Sequence, residues 1–280
     1  MTSLPNNISN SIKSGISLAG DDFSGSELEL WYAQEKEAYY EEESNTGEKD
    51  PWYAYMRYVN ETLFFRNVSK SITSGSGMFL GSGSGIEAKQ FDMLNPDWTL
   101  NFVESSNDFR SVLLSNFEGS NVIESSIDGN INLESNSQDV VCAFCVLHHI
   151  ANVTHVIKEI YRVTKPGGVF FVREPCSSMG DWRFQRSATP NERGISKKYM
   201  LKTAIDIGFY VKKYPVPIVF EPINKCFSKI GILDKMPFQF IYMIDLTLSW
   251  ILSFNDYYWR DKLYKKFGPS SYAYIFCKPK

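Results

Sequence analysis

Three glycines alternate in "MFLGSGSGIEAKQF", Met78 to Phe91, where Gly81, Gly83 and Gly85 separate a short apolar run from a helix-like one. Residues without a Cβ let the backbone pass very close to another group. In a strand, loop, helix unit, the bare amides and the helix N-terminus can then receive an anion or a nucleoside. The glycines therefore point to a sheet covered by helices, with something held against the first turn.

The surrounding text has the matching texture. Short apolar runs recur at "MFL", "TLNFV", "NVIESSI", "DVVCAFCV" and "GVFFVRE", with helix-like segments between several of them, which predicts a mostly parallel sheet covered by helices. "VTHVIKEIYRVT" puts Val153, Val156, Ile157, Ile160 and Val163 on one stripe, and "KPGG" ends it. A helix "KKYMLKTAIDIGF" and a strand "YVKKYPVPIVF" follow, and "SSYAYIFCK" closes the chain as a strand returning to the sheet. Before the glycines, "ELELWYAQEKEAYYEEES" and "DPWYAYMRYVNETLFFRNV" predict two aromatic helices. The organisation expected is a flexible N-terminus over 1–25, a helical lid segment over 26–74, and an α/β domain over 75–280 with a helical insertion at about 221–268.

Composition removes several classes of function. The 280 residues carry 29 Lys plus Arg against 32 Asp plus Glu, so the chain lacks the basic balance that a phosphate backbone requires, and nucleic acid is not expected as a partner. The five cysteines are too few and too scattered for a disulfide framework. With no basic and apolar leader at the start, they suggest reduced thiols and a cytoplasmic location. Cys142 and Cys145 form a C-x-x-C with His148 and His149 close behind, but the cysteines fall within one apolar strand on opposite faces and no second pair exists. No metal site is expected there.

About 20 residues beyond such a glycine turn, an acid ending the next strand can hydrogen-bond two ribose hydroxyls. Glu104 ends "TLNFVE", 21 residues after Gly83. The loop alone leaves the cofactor open, because Gly83 to Ala88 also satisfies the G-x-G-x-x-A of nicotinamide-dependent oxidoreductases. The discriminating text is "NSQDVVCAFCVLHHIANVTHVIKEIYRVTKPGGVFFVREP", Asn136 to Pro175. From roughly Met78 to Val211 the sequence resembles the class I S-adenosylmethionine-dependent methyltransferases, in particular those sharing a "D-V-V…L-H-H…E-I-x-R-V-x-K-P-G-G" run.

The resemblance implies a doubly wound, seven-stranded Rossmann-like sheet with its last strand antiparallel. It also implies S-adenosylmethionine as cofactor. Gly81, Ser82, Gly83 and Gly85 would pass under its methionine part, Glu104 and Ser105 would hold the ribose, Ile127 and Asp128 would lie near the adenine, and Phe144 and Cys145 would line the floor. One position departs from the family: an Asp or Glu usually stands two residues before the first glycine, and this chain has Phe79. A polar group from elsewhere, such as the helices before Met78, would have to replace it. Otherwise cofactor affinity would be weakened, and Phe79 is the best argument for the alternative of a methyltransferase-like binding protein without turnover.

The expected reaction is transfer of a methyl group to an oxygen, or a nitrogen, of a non-protein acceptor such as a saccharide. Candidate bases are His148, His149, Glu174 and Asp181. The polar loop after the fifth strand offers Trp182, Arg183, Arg186 and Arg193 for acceptor recognition, since arginine forks onto phosphate or carboxylate and indole stacks on rings. Met236 to Phe254 is very apolar with one charge, Asp245. It reads as a helix packed over the sheet edge or the pocket, with contact to a membrane surface as the alternative.

Overall fold

A computed structural model describes residues 7–46, 51–69, 74–89, 97–184, 189–219 and 236–280. Its centre is a sheet of seven strands: β1 (Gly75–Leu80), β2 (Trp98–Glu104), β3 (Asn121–Glu124), β4 (Gln138–Phe144), β5 (Thr164–Pro175), β6 (Tyr210–Ile218) and β7 (Ser271–Cys277). The spatial order is β3-β2-β1-β4-β5-β7-β6. β1 to β5 pair in parallel, and β7 runs antiparallel between β5 and β6. The order reverses between β1 and β4, and in an open parallel sheet that point opens a crevice at the strands' carboxyl ends. The last strand of the chain is antiparallel, as the resemblance implied.

Alternation along each strand builds two cores. Phe79, Phe102, Cys142 and Phe171 face one side, where they meet α3 (Pro51–Phe64) through Met56, Val59 and Leu63. Met78, Val103, Val141, Ala143 and Phe170 face the other, against α5 (Val153–Val163) and α6 (Lys197–Ile207). Burial on both faces explains why "DVVCAFCV" and "GVFFV" read as continuous apolar runs rather than alternating ones. The stripe Val153, Val156, Ile157, Ile160 and Val163 is the buried face of α5.

The remaining helices are α1 (Asn10–Lys13), α2 (Ser26–Thr46), α4 (Asn107–Asn116) and α7 (Phe238–Leu252). α7 lies against β6 and α3, and Asp245 is its inward anchor. Tyr55 Oη donates to Asp245 Oδ2 at 2.7 Å, and Val219 N and Ser249 Oγ donate to Oδ1 at 3.0 and 2.9 Å. Among the described residues no helix is long and apolar enough to cross a membrane. Residues 221–235 of the expected insertion lie outside the described residues.

The structure differs from the sequence expectation at the N-terminus. Within the expected flexible stretch, residues 7–25 pack closely: Ile8, Leu18 and Ala19 are buried. Asp21 accepts from Thr154 N and Thr154 Oγ1, each at 2.7 Å, so its carboxylate caps the N-terminus of α5, where unpaired amides and the helix dipole favour a negative charge. The Ser, Asn and Gly content that suggests mobility in fact serves turns and caps. We expect Asp21→Ala to lower stability by about 1 kcal/mol, the usual cost of losing an N-cap, in urea unfolding followed by circular dichroism. An unchanged midpoint would mean that the segment is not fixed in solution.

Candidate functional site

The crevice at the switch point holds a cavity of about 590 Å³, within the range of small-molecule sites. Its floor comes from Gly81, Glu104, Ser105, Cys145 and Val146; one rim comes from residues 125–127 and 129–131, and Trp31, Tyr32, Glu35 and Lys36 of α2 form a wall beside His149. The helical segment predicted before the glycines therefore contributes directly to the cavity.

The glycines are required for two reasons. Gly81, Gly83 and Gly85 have φ of 57°, 52° and 80°, the left-handed region that favours glycine. A Cβ on Gly81 would sit 2.1 Å from Val146 Cγ2, and one on Gly85 would sit 2.5 Å from Phe117. The loop thus turns sharply and packs closely, and Gly81 lines the cavity. Ser82 Oγ is buried with no hydrogen-bond partner among the described residues. A buried hydroxyl left unpaired costs about 1–3 kcal/mol, and a polar ligand group at the loop would relieve it.

Glu104 is 3% exposed and shapes the floor. Its Oε2 accepts from Gly83 N at 2.9 Å, and its Oε1 accepts from Ser105 N at 2.8 Å and Ser106 N at 3.0 Å. The carboxylate fastens the glycine loop to the end of β2. Oε2 retains a lone pair for a hydroxyl donor.

The other expected cofactor contacts divide. Ser105, Ile127 and Cys145 line the cavity. Phe144 does not: it points to the opposite side of the sheet and meets Phe171 edge-on at 5.1 Å, as alternation along β4 demands. Asp128 is exposed, and its carboxylate accepts from Ser126 Oγ, from Asn130 N at 3.1 Å and from Asn130 Nδ2 at 2.6 Å, closing its own turn. Neighbouring Ser125 and Ser126 take the place expected for it on the rim.

Phe79 is buried and stacks on Phe102 at 5.8 Å. Acidic character at the loop comes instead from Glu87, on the helical turn at 86–89. Glu87 Oε1 accepts from Asn60 Nδ2 of α3 at 2.9 Å and from Arg173 Nη2 at 3.2 Å. Burial raises its pKa, against the attraction of Arg173. Arg57, also on α3, attracts Glu87, and its Nη1 is buried with no hydrogen-bond partner among the described residues.

The adjacent histidines separate in role. His148 is buried and donates through Nδ1 to Glu174 Oε2 at 2.7 Å, while Glu174 Oε1 accepts from Val146 N and Leu147 N at 3.0 and 2.8 Å. Burial pushes the His148 pKa down to about 4, so the ring stays neutral and, with Glu174, pins the turn after β4. His149 faces the cavity and pairs through Nδ1 with Glu35 Oε2 at 2.8 Å. Burial works against its charge, yet the hydrogen bond to Glu35 prevails and its pKa is raised. Glu35 Oε1 is buried on the same wall with no hydrogen-bond partner among the described residues. Nothing in the sequence marked Glu35, which lies 114 residues from its histidine.

The loop after β5 is mainly structural, contrary to expectation. Trp182 is 2% exposed, meets Trp259 edge-on at 5.4 Å and donates to Ser178 O at 3.0 Å. Arg193 has no exposed surface. It donates to Ala19 O at 2.7 Å, His148 O at 2.8 Å, and Ile150 O and Ala151 O at 2.9 Å, with its guanidinium 4.6 Å from the Trp31 ring. Asp181 pairs with exposed Arg183 outside the cavity, and that hydrogen bond holds the Asp181 pKa down, which makes it a weak base. Arg186 lies outside the described residues. Cys142 is buried at a strand centre, and burial pushes its thiol well above the usual range.

Residues 79–172, which run from β1 into β5, match the family model described as "Methyltransferase domain". That match makes the stretch a class I methyltransferase domain, an enzyme domain whose cosubstrate is S-adenosylmethionine. Among solved structures, a putative sarcosine dimethylglycine methyltransferase from Galdieria sulphuraria is 17% identical with a TM-score of 0.56, over 79% of this chain and 86% of that one. A putative methyltransferase from Bacillus halodurans is 14% identical with a TM-score of 0.52, over 79% and 99%. Phosphoethanolamine N-methyltransferase 2 from Haemonchus contortus, solved with S-adenosyl-L-methionine, is 13% identical with a TM-score of 0.55, over 78% and 53%. At these identities the likeness is one of fold. No curated protein matches the chain at a significant level.

Arg193→Met should cost about 3 kcal/mol or more of folding stability, because several buried carbonyls would lose their donor. Arg183→Met, on the surface, should change stability by less than about 0.5 kcal/mol. Equal unfolding midpoints for the two variants would disprove the structural role of Arg193.

Proposed function

Starting from a class I methyltransferase domain over residues 79–172, we propose that the protein methylates a hydroxyl of a small, non-protein acceptor, with His149 as the base and Glu35 holding it. One observation carries this reading: the pair lies on the wall of the same cavity whose floor is the glycine loop and Glu104. A saccharide is the acceptor class that suits the wall, because Trp31 and Tyr32 offer ring faces while Glu35, Lys36 and His149 offer polar groups.

The residues present fit the cofactor. Glu104 Oε2 would take a ribose hydroxyl, Ser105 and Ile127 would flank the nucleoside, and Ser82, Arg57 and Glu87 would hold the amino-acid end in place of the acid missing at Phe79. When bound, S-adenosylmethionine supplies a methyl group on a sulfonium leaving group, so the protein's work is chiefly positioning. His149 accepts the acceptor's proton as the hydroxyl becomes nucleophilic. Glu35 fixes the ring through Nδ1 and stabilises the imidazolium that results. α2 covers the cavity and excludes water from this wall.

A nitrogen acceptor is the second reading, and the unpartnered Oε1 of Glu35 favours it, since a buried carboxylate beside aromatic rings suits an ammonium group. A nicotinamide reading has no support beyond the glycine pattern itself.

Calorimetric titration with S-adenosylmethionine tests the cofactor site. Binding should weaken at least about tenfold in Glu104→Ala, the order expected for losing one charged hydrogen bond; equal affinity would discard Glu104 as the ribose ligand. In an acceptor screen, His149→Gln should lower kcat by about 10²- to 10⁴-fold with cofactor affinity retained.

The pH profile supplies a second check. His149 must be neutral to accept a proton, so kcat should rise with pH through a His149 pKa above the ordinary 6.5. Glu35→Gln removes the largest influence that raises that pKa and leaves burial, which lowers it, opposed only by the more distant Glu192 and Glu174. The acid limb should therefore move to lower pH while the rate falls. A limb that stays in place would exclude the dyad.

A further inference from the structure

α7 is amphipathic in an unusual sense, because the face it turns outward is the apolar one. Ile241, Tyr242, Asp245 and Ser249 face the protein and are buried. Phe240, Met243, Trp250 and Phe254 follow one side of the helical path and are 53, 65, 79 and 82% exposed. Asp245 is the only charged residue between Met236 and Phe254 and is turned inward, so the outer face carries no charge.

The stretch after the helix extends this surface. Asn255 Nδ2 donates to Tyr264 O and Phe267 O, both at 2.7 Å, which holds the turn at Leu263–Lys266 beside the end of α7. Leu263 and Phe267 are 73 and 60% exposed there. From Asn255 to Phe267 the cationic side chains are Arg260, Lys262, Lys265 and Lys266, against Asp256 and Asp261. Asp256 is turned to Lys197 at 2.9 Å, Asp261 pairs with Lys265 at 2.7 Å, and Arg260 donates to the carbonyls of Tyr257 and Pro269, so Lys262 and Lys266 are the exposed cations of the turn. An exposed apolar stripe thus ends in a cationic turn, on a chain whose net charge is -3.

We infer that this face docks on an anionic lipid bilayer. Exposed Trp and Phe suit the headgroup boundary, and flanking lysines add attraction to anionic headgroups while their stems follow apolar surface. Fifteen residues of α7 span about 22 Å at 1.5 Å per residue, less than the roughly 30 Å of a bilayer core. With its inner side fastened to β6 and α3, the helix lies on the surface and does not cross. A second copy of the chain is the poorer occupant, because the same patch on a partner carries the same cationic excess and no complementary charge. The inference is independent of the acceptor.

The test is sedimentation of the full chain with vesicles of phosphatidylcholine alone and of phosphatidylcholine mixed with phosphatidylglycerol, with tryptophan emission read in parallel. Binding should require phosphatidylglycerol, fall with salt and shift the emission to the blue. Trp250→Ser with Phe254→Ser, and separately Lys262→Glu with Lys266→Glu, should each weaken partition at least about tenfold. Their thermal midpoints and S-adenosylmethionine affinity should stay unchanged, since all four positions are exposed. Failure of the wild-type chain to bind the mixed vesicles would overturn the inference. So would undiminished binding by the apolar variant, or a wild-type dimer in light scattering that Trp250→Ser with Phe254→Ser converts to monomer.

Discussion

The wall of the cavity depends on one buried guanidinium. Arg193 has no contact with solvent, and a lone buried cation is costly unless its donors are occupied. Here they are, by the carbonyls of Ala19, His148, Ile150 and Ala151. Those carbonyls come from the N-terminal segment and from the turn after β4, so a single side chain joins pieces far apart in the sequence. Trp31 lies under the same guanidinium and donates through Nε1 to His149 O at 2.7 Å. The arrangement brings α2 to the turn, and with it Glu35 to His149. The charge of Arg193 is spent entirely on backbone, which leaves none of it for a substrate.

Two neighbouring histidines then acquire opposite properties from similar partners. Each places Nδ1 against a glutamate, and their rings are 4.0 Å apart. For His148, burial and the adjacent ring outweigh Glu174, whose carboxylate is shared with two backbone amides. For His149, Glu35 outweighs burial, and the second oxygen of Glu35 is not divided among backbone donors. A neutral ring beside a more basic one suits the first to structure and, on the proposed reading, the second to proton transfer, as environments that push pKa values apart do elsewhere.

What could be read from the sequence was whatever the chain writes locally. The glycine turn, the acid at Glu104, the stripe of α5 and the returning strand β7 are patterns within about 20 residues, set by strand and helix periodicity. Glu35, the roles of Trp182 and Arg193, and the packing of residues 7–25 depend on pairings across 42 to 174 residues, for which no local spacing exists. The misplacement of Phe144 has a smaller cause. Alternation at the end of β4 sends adjacent residues to opposite faces, so Phe144 and Cys145 could not both line the floor. Polar composition misled in the loop after β5 and at the N-terminus alike, because serines, asparagines and arginines there cap helices and occupy carbonyls.

Phe79 shows how the site could change a residue without losing its chemistry. Between β2 and the helices, that position sits in a stack with Phe102 and Phe117, where a carboxylate would need a partner that the apolar layer lacks. Glu87, one helical turn beyond the glycines, meets Arg173 and Asn60 instead. Arg57 Nη1 and Ser82 Oγ remain buried and unsatisfied nearby. Unmade hydrogen bonds of this kind cost more than made ones return, so a fold keeps them only where something else completes them. A zwitterionic group would bring a carboxylate to Arg57 and Ser82 and an ammonium to Glu87, and the amino-acid end of S-adenosylmethionine is such a group. On the proposed reading Glu87, on the turn after the glycines, does the work of the acid absent at Phe79, and α3 supplies its positive counterpart through Arg57.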